Sequence, residues 1–131
     1  RLERLLTAAD PTHDAILGEE CWSLAHEARG DLRRAIQSRE NEIRLIRRLH
    51  ELSRGAPCEA TALKDYGYDD LSDRLDLLAV LYHDGGDLDK AITTLRESKE
   101  LCREHGSRFD GDELLRDYTA EKRASQQAAA G

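Results

Sequence analysis

The chain has 131 residues, of which 39% are apolar and 36% charged, with a formal net charge of -7. That balance is too apolar for a disordered chain, and the length suits one domain with a modest core. The acidic excess argues against a general nucleic-acid binder, which must cluster positive charge to displace counterions, and no apolar run approaches the ~20 residues needed to span a bilayer.

Only 5% of residues are aromatic and two are Pro, whereas Ala, Leu, Glu and Arg abound, so helix is expected throughout. Residues 1–9 read as a short helix with Leu2, Leu5 and Leu6 on one side, stopped at Asp10 and Pro11. Pro11 suits the first turn of a second helix with Asp10 as its cap. Ile16, Leu17, Cys21, Trp22, Leu24, Ala25 and Ala28 then form a wide apolar face up to Gly30, where a left-handed residue would stop the helix. Asp31 caps a third helix that runs to about Ser53, with a polar turn at residues 39–42 that predicts an overhang past its neighbours.

Residues 55–68 form an irregular connector, holding a turn of helix near 60–64 and ending in Tyr66 and Tyr68. These tyrosines either plug the gap between helix pairs or present a partner contact. Asp69 or Asp70 caps a fourth helix carrying Leu71, Leu75, Leu78, Ala79 and Tyr82; Gly85 and Gly86 break it and Asp87 caps a fifth. The fifth, Leu88 to about His105, has near-ideal amphipathic spacing and closes at Gly106. A last helix over 110–125 fades into a frayed Ala- and Gln-rich tail to Gly131.

Two segments repeat. Trp22 to Ile36 aligns with Leu78 to Ile92, and the pairs Gly30 and Gly86, Asp31 and Asp87, Ala35 and Ala91 are each 56 residues apart. Small residues at Ser23 and Ala35, and at Ala79 and Ala91, let two antiparallel helices approach closely, while Gly-Asp turns the chain and caps the second helix. This pattern resembles the tetratricopeptide repeat. Leu78, Ala79, Tyr82, Gly86, Asp87, Ala91, Leu95 and Ser98 match the family in the second unit, and Trp22, Ser23, Ala25, Gly30, Asp31 and Ala35 match it in the first. Arg39 and Glu42 depart from it, neither unit has the closing proline, and the offset exceeds the family's usual ~34 residues. The resemblance implies an all-α domain of about six helices. Antiparallel pairs over 12–54 and 69–105 would stack as a short right-handed superhelix or an irregular array, closed by the last helix.

It also implies partner binding on a concave face lined by the first helix of each pair. Projected onto this chain, that face holds Leu17, Glu20, Leu24 and Glu27 from the first unit, and Asp73, Asp76, Val80, His83 and Asp84 from the second. The Lys, Arg and Asn that grip a peptide carboxylate in some relatives are replaced here by Glu20, Leu24, Asp73 and Asp76. Such a groove either favours a basic or amphipathic protein or peptide, or is a solvated face. Trp22 and Tyr82 read as core anchors, Cys102 with His105 as core packing rather than half a zinc site, and the acids around Gly85 and Gly86 as turn and cap rather than a calcium loop. The basic stripe of Arg33, Arg34, Arg44, Arg47 and Arg48 reads as an outer helix face supported by a Glu40–Arg44 pair.

No catalytic, cofactor or metal signature is legible. The expected function is that of a protein- or peptide-binding scaffold, not an enzyme, with homo-oligomerisation permitted by the frayed tail and by the opposite charges of the basic stretch 31–54 and the acidic stretch 69–89. An odd count of three cysteines suits the cytoplasm. The alternative is a regulatory or sensor domain excised from a larger signalling protein or transcription regulator, which the absence of Met and the start at Arg1 favour.

Overall fold

The computed structural model describes residues 12–53 and 66–130, and every regular element among them is helical. Five helices follow in order: α1 (His13–Ala28), α2 (Leu32–Leu52), α3 (Tyr68–Asp84), α4 (Leu88–His105) and α5 (Asp112–Ala130). The helix expected over residues 1–9 and the turn near 60–64 lie outside the described residues. The chain divides into two compact units, Arg1–Leu71 and Ser72–Gly131.

In the first unit, the cap of α1 falls on Thr12 rather than on Asp10: its hydroxyl accepts from the Ala15 N–H at 3.1 Å. A side-chain oxygen here satisfies one of the four amides that a helix start leaves without partners. α1 ends at a left-handed Gly30 (φ 77°), and the Asp31 N–H returns to the His26 carbonyl at 2.9 Å. Asp31 then accepts from the Arg34 N–H and opens α2. Ser23 and Ala35 are fully buried where the helices cross, and the Ser23 hydroxyl donates to the Ala35 carbonyl at 3.1 Å. Ile16, Ile43, Ile46 and Leu49 fill the core beside them.

Two expectations are corrected in this unit. The wide apolar face of α1 is not one buried face: Ile16 and Ser23 are its buried residues, whereas Leu17, Cys21, Trp22, Leu24 and Ala28 are exposed. The apolar side chains of α1 are spread over more of its surface than its crossing with α2 covers. The polar turn of α2 does not overhang into solvent either. Arg39 and Glu42 are 3% and 0% exposed and form an ion pair at 2.6 Å, three residues apart on one helix. Each neutralises the other, which makes their joint burial tolerable.

The second unit repeats the turn bond for bond. Gly86 is left-handed (φ 84°), the Asp87 N–H returns to the Tyr82 carbonyl at 2.9 Å, and Asp87 accepts from the Lys90 N–H at 3.1 Å. Ala79 and Ala91 are fully buried at the crossing, as their counterparts are in the first unit. Ile92, Leu95 and Tyr118 complete a core against which Tyr82, Leu88, Phe109, Leu114 and Leu115 pack. α3 begins at Tyr68, so Asp69 and Asp70, each expected as its cap, both lie inside its first turn, where Asp70 accepts from the Gly67 N–H at 3.1 Å. α5 does not fade near residue 125 but continues to Ala130, with every residue from Arg123 to Ala130 exposed.

Candidate functional site

Each expected face is built on the first helix of its pair. On α1, Leu17, Cys21 and Leu24 recur at intervals of four and three residues, which places them on one side of the helix. Leu17 is 43% and Leu24 52% exposed, and Cys21 is an exposed free thiol. Glu20 is half-buried and Glu27 exposed beside them. The result is an apolar stripe edged by carboxylates and open to solvent.

On α3, Asp73, Leu77, Val80 and Asp84 share a side by the same spacing. Asp73 and Asp84 are exposed, Val80 is half-buried, and Leu77 is 50% exposed. Leu77 is not among the residues expected on this face. It falls outside the core periodicity of Leu71, Leu75, Leu78 and Ala79, and that mismatch was the available signal.

The two remaining expected residues of α3 are engaged inside their own unit. Asp76 lies half-buried near Ser98, and its Oδ1 is buried without a hydrogen-bond partner. Burial pushes its carboxyl up to about 6; Asp73 and Asp110 push the same way, while the Ser98 hydroxyl opposes them. Next to it runs a buried chain of small polar groups. The Cys102 thiol donates to Ser72 Oγ at 3.0 Å, and the Ser72 and Ser98 hydroxyls are 2.7 Å apart. Cys102 is therefore a core residue of α4, while His105 is exposed. His83 turns toward α5: its ring stacks on Tyr118 at 4.3 Å and its Nε2 lies 2.8 Å from Glu121.

The aromatic residues sort differently from expectation. Tyr82 packs on the core of the second unit, but Trp22 is 55% exposed and is no core anchor. The indole stacks on His26 one turn later, with centroids 5.5 Å apart. Its position, one residue before the buried Ser23, turns it away from the crossing. Tyr66 is buried and its hydroxyl lies 2.7 Å from His13 Nδ1, whereas Tyr68 is 39% exposed and meets His50 edge-on at 4.6 Å. Of the basic stripe on α2, Arg34 pairs with Asp31, Arg48 with Glu51, and Arg44 donates to Asn41 at 2.8 Å.

Among the described residues, no helix is long and apolar enough to cross a membrane, and no three His, Cys, Asp or Glu side chains gather as a metal site. Set against profiles of protein families, curated proteins and solved structures, the chain gives no match.

Proposed function

We propose that this chain is a partner-binding helical module, built of tetratricopeptide-like helix pairs, that works in the cytoplasm without chemistry of its own. The observation that carries the reading is the exposed stripe Leu17, Cys21, Leu24 on α1. Large aliphatic side chains gathered on one helix face and left in water are the usual mark of a docking surface. The carboxylates of Glu20 and Glu27 on α1, and of Asp73 and Asp84 around Leu77 on α3, select the partner. On either helix taken separately, a basic amphipathic partner would bury its apolar side on the exposed leucines while its Lys and Arg meet the acids beside them. Two Gly-Asp turns with the same hydrogen bonds at a constant offset support the family-like pairing.

The test is recovery of partners from native lysate on the immobilised chain, repeated with Leu17→Ser/Leu24→Ser and with Asp73→Lys/Asp84→Lys. The serine variant is expected to lose partners held by the wild type, and the lysine variant to lose the basic ones. Identical recovery by both variants would remove α1 and α3 as docking faces.

A further inference from the structure

The side of α1 that carries Trp22 forms a second surface, separate from the Leu17 stripe. Glu19, Trp22 and His26 follow at intervals of three and four residues and face Arg34, Gln37 and Asn41 of α2. Together they border a shallow groove of about 450 Å³ contained within the first unit. Trp22 is the sole tryptophan of the chain, and its stack on His26 holds the exposed indole as a wall of this groove.

Four side chains of the groove, Trp22, Arg34, Gln37 and Asn41, can donate to a ligand. Asn41 Oδ1 is already taken by Arg44, which leaves the Asn41 amide N–H groups to donate outward. The Gln37 side chain is exposed and makes no hydrogen bond among the described residues. Arg34 spends only its Nε on Asp31, at 3.5 Å, so its terminal amino groups remain available. The indole N–H is one more donor. The acceptors beside them are the carboxylate of Glu19, the Gln37 carbonyl oxygen and a ring nitrogen of His26.

A ligand complementary to such a groove brings carbonyl oxygens, few N–H groups, and flat apolar rings. A helical partner does not, because its carbonyls are bonded internally. A polyproline II segment does: it makes no internal hydrogen bonds, its prolines carry no N–H, and pyrrolidine rings lie flat on aromatic walls. We propose that the α1–α2 groove binds a proline-rich segment in the polyproline II conformation, with Trp22 stacking on a proline and Gln37 and Asn41 donating to its carbonyls. This site goes beyond the docking faces above and does not depend on them.

The single indole makes the test direct, because tryptophan emission reports on this groove alone. Titration of the full chain with decaproline is expected to shift the emission saturably. Gln37→Ala/Asn41→Ala keeps the indole but loses two hydrogen bonds, and is expected to bind about tenfold more weakly. Trp22→Ala, whose exposed side chain does not hold the fold, is expected to keep its helical circular dichroism and lose the heat of decaproline binding in calorimetry. Leu17→Ser/Leu24→Ser is expected to bind decaproline as the wild type does, so this site and the docking stripe stand or fall separately. The inference is overturned if decaproline leaves the emission unchanged, if a Gly-Ser peptide of equal length produces the same shift, or if the Gln37→Ala/Asn41→Ala variant binds undiminished.

Discussion

Asp76 shows how much a single carboxyl can decide. Its Oδ1 is buried and unpaired, so the folded chain holds the acid proton more tightly than the unfolded chain does, with the carboxyl moved from 3.8 to about 6. A group raised in this way stabilises the fold at low pH, and the contribution is lost as pH rises between those two values. Asp76→Asn, neutral at every pH, should therefore have a higher urea midpoint than the wild type at pH 7.5. With partial exposure allowed for, the gain is on the order of 1–2 kcal/mol. The gap should close near pH 4, and a difference of equal size at both pH values would show that charge is not its cause.

The Arg39–Glu42 pair makes the opposite point at the same scale. Removing Glu42 alone strands a guanidinium in the core, so Glu42→Ala should cost about 3–5 kcal/mol in thermal or urea unfolding. Arg39→Met/Glu42→Leu removes both charges at similar volume and should recover most of that loss. A double variant no more stable than Glu42→Ala would mean that the two charges do not act as a pair.

Among the elements, the two Gly-Asp turns are the parts most nearly written in the residues. Gly30 and Gly86 both adopt a left-handed conformation that costs an L-residue roughly 1–2 kcal/mol. Gly30→Ala and Gly86→Ala should each lower stability by about that amount, measured by urea unfolding, and to a similar extent because the turns share their hydrogen bonds. Unequal losses would show that the units are alike in sequence but not in constraint. The starts of α2 and α4 were legible because caps are local: Asp31 and Asp87 accept from amides three residues ahead. The extent of α5 was less so. Its last turns bury nothing, and only the helix propensity of the Ala-rich segment extends them to Ala130.

For the molecule as a whole, the outward faces matter more than the cores. Cys21 sits between Leu17 and Leu24 on the α1 stripe, whereas Cys102 is 2% exposed and hydrogen-bonded. Site-resolved maleimide labelling should modify Cys21 quickly and Cys102 slowly in the free chain, and a bound partner should protect Cys21. Rapid labelling of Cys21 in the presence of a saturating partner would place the docking surface elsewhere.

The helical class, the hairpin turns and the small residues at both crossings followed from the sequence alone, because each rests on interactions within a few residues or on a spacing of 3.6. Which apolar side chains of α1 are buried did not. Ile16, Leu17 and Leu24 are alike in hydropathy, and the placement of α2 against Ser23 decides that Ile16 is covered while the two leucines face water. The same holds for Arg39 and Glu42, polar by type yet enclosed by position. Periodicity states that a helix has faces; only packing, which is three-dimensional and non-local, states which face has a neighbour.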